Sequence, residues 1–185
     1  MQRDIAKWVR LGLTLLVLVS CTQAKPAWIK KDTHAYLNAR TFYGVGTLSG
    51  VKIKNKILAQ ITSENLAKAE VAKIFDAYTL SLLDAYTASL TVDQRADIED
   101  MGELKMTFMT HGAMTLFDSV VEETWTDPDK GTYHALAKIK LKTFLREIAS
   151  AEDLTPQFQN FIKKNAQDYF DRLKGLNETE TQEKL

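Results

Sequence analysis

The hydrophobic positions of the chain follow two different periods. Between residues 71 and 86, apolar side chains recur at intervals of three and four, which places them on one face of an α-helix. Ser63 is a suitable N-cap residue, so we expect this helix to begin close to it, and the preceding "NKILAQITS" either continues the helix or leads into it. The apolar stripe consists of Val71, Ile74, Phe75, Tyr78, Leu82 and Tyr86. This spacing predicts an amphipathic helix that packs against a globular core.

A capping-box pattern at Thr91 and Gln94 predicts the start of a second helix. The segment that follows, up to about Leu116, contains Gly102 and Gly112, so we expect either one weakened helix or a broken one. The methionines on or beside it are Met101, Met106, Met109 and Met114. Clustered methionines can bind a soft metal such as Cu(I), but the filling of core gaps is their commoner use, and we expect that use here.

The C-terminal part predicts two more helices. A short one is expected over residues 143–150, and a stronger one follows Thr155 as N-cap and Pro156 in its first turn. The stronger helix has an apolar stripe formed by Phe158, Phe161, Ile162, Tyr169, Phe170 and Leu173. This stripe either covers the sheet, which is the simpler interpretation, or docks on another subunit. We expect the helix to end near Gly175, before a polar, disordered tail.

A β-strand is indicated by "TFYGVGTLSGVKI", which begins at Thr41. Aromatic and β-branched residues favour a strand, and the glycines among them indicate that it bends or approaches another backbone closely. Gly44 and Gly46 are the glycines nearest its centre. A Gly-x-Gly can also bind phosphate, but the further glycine and the Lys-Ser/Thr of a phosphate-binding loop are missing here.

A β-hairpin is indicated further along the chain. From Phe117 the period is two, which places Val121, Glu123 and Trp125 on one face. The turn "TDPDKG" then leads into a strand whose buried face is formed by Tyr133, Ala135, Ala137, Ile139 and Leu141. Together these elements predict an α+β fold in which a small antiparallel sheet, including the hairpin, packs against several amphipathic helices.

The first 20 residues are arranged as a bacterial secretion signal. Arg3, Lys7 and Arg10 precede an apolar run of about nine residues, whereas a membrane-spanning helix needs roughly 20. Leu18-Val19-Ser20-Cys21 resembles the lipobox of bacterial lipoproteins, in which the cysteine receives a diacylglyceryl thioether and becomes the acylated N-terminus. We therefore predict lipidation of Cys21. An ordinary cleaved signal with an incidental cysteine and an uncleaved anchor are the alternatives.

The patterns divide the chain into a signal peptide (1–20), a tether (21–40), an α+β domain (41–175) and a tail (176–185). Trp28 and Ile29 are apolar enough to dock the tether on the domain. Two or more acyl chains hold a protein firmly on a bilayer. Because Thr22 follows Cys21, where an inner-membrane retention signal commonly has Asp, we expect attachment to the outer membrane.

Composition and spacing argue against several classes of function. The chain has 24 basic and 24 acidic residues, interspersed along its length, whereas nucleic-acid binding depends on concentrated Lys and Arg. His34, His111 and His134 lie far apart in sequence and share no metal-ligand spacing, so each is expected to be a structural or surface histidine. We expect no enzyme activity, no cofactor and no metal.

Several segments, in their order along the chain, resemble the Lpp-twenty family of bacterial lipoproteins. They are the lipobox, Pro26 to Ile29, Tyr43 to Gly46, an alanine-containing helix, Val120 to Trp125, and Gly131 to Leu136. The lysine-rich "GVKIKNK" and the chain beyond Phe144 are less typical. The resemblance implies a small α+β domain at an outer membrane that acts through protein contacts. Relatives include surface antigens and ring-forming flagellar assembly lipoproteins of the FlgP type, and the family has no established catalytic residues.

The sequence thus predicts an outer-membrane lipoprotein, facing the periplasm, that serves as a non-enzymatic structural or protein-interaction module of the cell envelope. Its partners would be the membrane, through the lipid anchor, envelope or flagellar proteins, and further copies of itself. Two alternatives stay open: a component of a flagellar motor or assembly ring, and a periplasmic activator of a cell-wall synthase. A synthase activator on the outer membrane must extend across the periplasm to the inner membrane. The tether of residues 21–40 extends at most about 65 to 70 Å, which makes this distance hard to span.

Overall fold

The computed structural model describes residues 24–29, 40–49, 55–96 and 101–183, and their side chains except at residue 96 and from residue 175 on. The strands in these ranges are β1 (Thr41–Leu48), β2 (Val120–Thr126) and β3 (Tyr133–Lys140). The helices are α1 (Lys56–Ser89), α2 (Val92–Ala96), α3 (Met101–Leu116), α4 (Leu141–Ser150) and α5 (Pro156–Glu183). A 3-10 turn covers Ala27–Ile29. The predicted α+β fold is confirmed.

The sheet is antiparallel, with β3 between β1 and β2. The hairpin of β2 and β3 is the one that the sequence predicts, and β1 pairs with β3 along its whole length. The face of the sheet covered by α1, called the inner face below, includes the buried residues Phe42, Ala135, Ala137 and Ile139. The opposite, outer face is described with the candidate surfaces.

Strand β2 departs from strict alternation. The register with β3 shifts between Val121 and Glu123, so Glu122 is an extra residue that forms a β-bulge. Val121 therefore packs against the core on the inner face, whereas Trp125 joins a separate cluster on the outer face. The prediction that Val121, Glu123 and Trp125 share one face is wrong, because the inserted residue reverses the alternation between them.

Helix α1 begins seven residues before Ser63, the predicted start. Its N-cap is Asn55, whose side-chain oxygen accepts hydrogen bonds from the backbone N–H groups of Ile57 and Leu58, each at 3.1 Å. Ser63 lies inside the helix and is fully buried. The predicted apolar stripe of this helix is confirmed, since all six of its residues are buried.

Helix α1 lies directly against β1 at Gly44 and Gly46. A Cβ atom at Gly44 would collide with the carbonyl oxygen of Ala67 and with Val71, and one at Gly46 would collide with the carbonyl oxygen of Ser63. The predicted close approach between backbones is confirmed. The close approach is possible because both strand positions are glycine and because Ser63 and Ala67 on the helix have small side chains.

Two predicted capping signals are also confirmed. Thr91 Oγ1 accepts a hydrogen bond from the Gln94 N–H at 3.2 Å, and Gln94 Oε1 accepts one from the Thr91 N–H at 3.0 Å. Thr155 Oγ1 accepts one from the Phe158 N–H at 3.3 Å, at the start of α5. Helix α5 continues past Gly175, its predicted end, to Glu183, since one glycine weakens a helix by only about 1 kcal/mol.

The aromatic stripe of α5 lies in the protein's own core. Phe158 packs edge-on against Tyr86 of α1, with ring centroids 4.7 Å apart, and Phe170 packs against Phe42 of β1 at 4.9 Å. The hydroxyl of Tyr78 donates a buried hydrogen bond of 2.7 Å to the carbonyl oxygen of Ala166, and burial raises the pKa of Tyr78. Helix α5 therefore covers α1 and part of the sheet, as in the simpler interpretation.

Candidate interaction surfaces

The predicted lipidation site Cys21, its neighbour Thr22 and His34 lie outside the described ranges. The predicted signal peptide also falls there, so its processing and the lipidation of Cys21 stay predictions. Among the helices that the structure describes, none combines the length and the apolar character needed to cross a membrane.

His111 connects three parts of the helical layer. From α3, its Nδ1 lies 2.9 Å from Glu147 Oε1 of α4, and its Nε2 lies 2.7 Å from Asp153 Oδ1 in the loop before α5. Burial alone would lower the pKa of His111, but the hydrogen bonds with the two carboxylates outweigh it and raise the pKa. Because both ring nitrogens are engaged by carboxylates, this arrangement, called the His111 clamp below, joins α3, α4 and the loop before α5.

His134 is packed on the outer face of the sheet. Its Nδ1 lies 3.0 Å from Thr47 Oγ1 across the β1–β3 pair, and its ring centroid lies 5.6 Å from that of Trp125. Burial lowers the pKa of His134, which favours the neutral imidazole. The side chain therefore acts as a cross-strand packing residue.

The outer face carries a second, smaller hydrophobic cluster. Trp28, Trp125 and Leu136 are buried there, and Ile29, Tyr43 and Val45 pack against them; these six residues are called the outer-face cluster. Trp28 Nε1 donates a hydrogen bond of 2.6 Å to Glu123 Oε2. Trp125 Nε1 is buried without a hydrogen-bond partner in the described part of the chain. Docking of Trp28 and Ile29 on the domain, expected from their apolar character, is confirmed.

An open groove lies on the other side of the molecule, where α3 ends beside α1. It encloses about 350 Å³ and is lined by Lys68, Ala69, Ala113, Leu116, Phe117 and Ser119; it is called the Phe117 groove. The side chain of Phe117 is 87 % exposed, and its apolar neighbours in sequence, Met114 and Val120, are 50 % and 51 % exposed. The groove thus presents the apolar side chain of Phe117 to solvent.

Sequence reasoning missed this groove. It placed Phe117 at the start of a strand, whereas the residue lies in the turn between α3 and β2. It also placed the methionines in the core, which is wrong for Met106 and Met114, because they are 67 % and 50 % exposed, and right for Met109, which packs against the core. Within the described residues, no group of His, Cys, Asp and Glu side chains is arranged to hold a metal ion.

Comparison with known proteins adds no assignment. No family model matches the chain, and no curated protein shows significant sequence similarity to it. The resemblance to the Lpp-twenty family therefore stays a prediction that depends on the order of its short motifs.

Proposed function

We propose that this protein is a lipoprotein of the outer membrane that acts as a non-enzymatic interaction module of the cell envelope, with the Phe117 groove as its contact surface. The observation that carries the proposal is the exposed apolar surface at this groove, where the Phe117 side chain is 87 % in solvent. Burying a side chain of this size contributes about 1.5 to 3 kcal/mol, so its exposure gives a partner protein a site of attachment.

The lining of the groove supports this interpretation. An exposed apolar side chain beside a concave surface is well placed to contact a partner protein. Ala69 and Ala113 line the groove with small side chains, which leaves room for a side chain of the partner. Lys68 at its border supplies a positive charge, so an apolar segment followed by a carboxylate is the partner chemistry that fits best.

Anchoring is supported by the sequence of the N-terminal segment. The basic start, the short apolar run, Ser20 and Cys21 together follow the layout of a lipoprotein signal. An anchored domain meets envelope proteins in two dimensions, which raises the effective concentration of a weak contact. Tethering and the Phe117 groove therefore act together in the proposed function.

The experiment is in-cell crosslinking, with mass spectrometry, of the wild type and of three variants. Phe117→Asp places a charge in the groove, and Val92→Asp is the matched control, because Val92 is 85 % exposed on α2 and does not line the groove. Cys21→Ala removes the predicted anchor. We expect Phe117→Asp and Cys21→Ala to lose crosslinks that the wild type and Val92→Asp retain.

The crosslinked protein also separates the open alternatives. A second copy of the chain or a motor protein would favour a flagellar ring, and a cell-wall synthase would favour an activator. Identical crosslinks in the wild type and in Phe117→Asp would contradict the proposed contact surface. Turnover of a substrate by the purified protein, abolished by one substitution, would contradict the non-enzymatic role.

A further inference from the structure

We infer that Trp28 is a clasp that holds the outer face of the sheet next to the membrane anchor and directs the Phe117 groove away from the membrane. The inference rests on the proposed anchoring through Cys21. It concerns how the domain is positioned, and it holds whichever protein binds in the groove.

The site on the sheet that Trp28 occupies is specific for an indole ring. The ring is 5 % exposed and packs in the outer-face cluster with Trp125 and Leu136. Its Nε1–H points to the Glu123 carboxylate at 2.6 Å, and a hydrogen bond to an ionised acceptor is stronger than one between neutral groups. Apolar packing and one directed hydrogen bond together fix the segment on the sheet.

The clasp is separate from the main core. The outer-face cluster shares no residue with the larger cluster between the sheet and the helices. With Trp28 in place, Trp125 Nε1 is buried and has no hydrogen-bond partner in the described residues. Burying an unpaired N–H group costs free energy, which weakens the packing of Trp28 on Trp125. Release of Trp28 would therefore expose the outer face while the main core stays intact.

Seating of Trp28 shortens the connection to the anchor. Trp28 follows Cys21 by seven residues, which reach at most about 25 Å when extended. Arg40, the next residue that the structure describes, follows Cys21 by 19 residues, which reach at most about 65 Å when extended. A seated Trp28 therefore holds the sheet within a short distance of Cys21.

The clasp also sets the orientation of the domain. Trp28 lies on the outer face, whereas α1 covers the inner face. On α1, Ala67 meets β1 and Ala69 lines the Phe117 groove, so the groove lies on the helical side of the sheet and not on the outer face. When the outer face lies next to the lipid, the Phe117 groove faces away from it.

This orientation can be measured with an anchor attached chemically. The chain from Cys21 on keeps all described residues, and Cys21 is its single cysteine, so a maleimide lipid in a phosphatidylcholine nanodisc couples at that position alone. Gadolinium chelates on other lipid headgroups then increase the relaxation rates of nearby amide protons in NMR spectra. The variants are Trp28→Ala and Glu123→Gln, and Glu122→Gln is the matched control, because Glu122 pairs with Lys138 on the same strand pair.

In the wild type and in Glu122→Gln, we expect relaxation at amides of β2 and β3 to be several-fold stronger than at amides of α3 beside the groove. In Trp28→Ala this ratio should fall toward one, and Glu123→Gln should lower it in part. The same spectra report whether each variant is folded. An equal ratio in folded wild type and folded Trp28→Ala would overturn the inference. Because the anchor is chemical, failure of lipidation or of partner binding in cells leaves this result unaffected.

Discussion

At the scale of single residues, Gly46 fixes the distance between a strand and a helix. Any side chain at this position would overlap the backbone of α1 at Ser63 and Ala67. Backbone atoms of a buried helix cannot move aside as the end of a flexible side chain can. The strand and the helix are therefore packed at a distance that only glycine permits.

We expect Gly46→Ala to lower the free energy of unfolding by about 3 kcal/mol, at the upper end of the range for overpacked cores. Gly112→Ala is the matched control, because a Cβ there would make only ordinary contacts, 3.7 Å from Thr79 and 3.8 Å from Phe75. In a helix this change should stabilise by up to about 1 kcal/mol. Urea denaturation measures both values, and equal stability of Gly46→Ala and the wild type would show that the two backbones can separate.

At the scale of elements, local signals were readable from the sequence and cross-strand ones were not. The caps at Thr91 and Thr155 were predicted, because a capping residue acts on N–H groups only two or three positions away. The bulge at Glu122 was not, because it depends on the register between β2 and β3. The sequence leaves the start of α1 open over "NKILAQITS", because Asn55 and Ser63 are both good caps. The burial of Ser63 and the capping bonds of Asn55 decide for Asn55.

The His111 clamp makes the packing of α3, α4 and the following loop depend on pH. The carboxylates of Glu147 and Asp153 raise the pKa of His111 in the folded protein. A group whose pKa is raised on folding contributes its full stabilisation below its unfolded pKa of about 6.5. That contribution is lost as the pH rises through the raised, folded-state pKa.

We therefore expect His111→Gln to lose more stability relative to the wild type at pH 6 than at pH 9, as measured by urea denaturation. Arg146→Gln is the control, since it breaks an ion pair of 3.1 Å with Asp118 and leaves the three residues of the His111 clamp unchanged. His134 is present in every variant, so its titration cancels in the differences. A deficit of His111→Gln that is the same at both pH values would contradict the charged clamp.

At the scale of the whole molecule, the two candidate surfaces lie on opposite sides. The outer-face cluster holds Trp28 on the sheet, and the Phe117 groove opens on the helical side. The fold class was predictable, because the helical and strand periods are both clear in the sequence. The Phe117 groove was not predictable, since it depends on where α3 ends relative to α1. In the sequence, a single Phe after a helix is equally consistent with the first residue of a strand.

Attachment to the membrane through Cys21 is the central claim, and intact mass spectrometry of the protein purified from bacterial membranes tests it most directly. We predict a chain that lacks residues 1–20 and carries a diacylglyceryl thioether and an amide-linked acyl chain on Cys21. Globomycin, which blocks lipoprotein signal cleavage, should cause a form with residues 1–20 and the diacylglyceryl group to accumulate. A chain that begins at Met1 and has an unmodified thiol at Cys21 would contradict the claim.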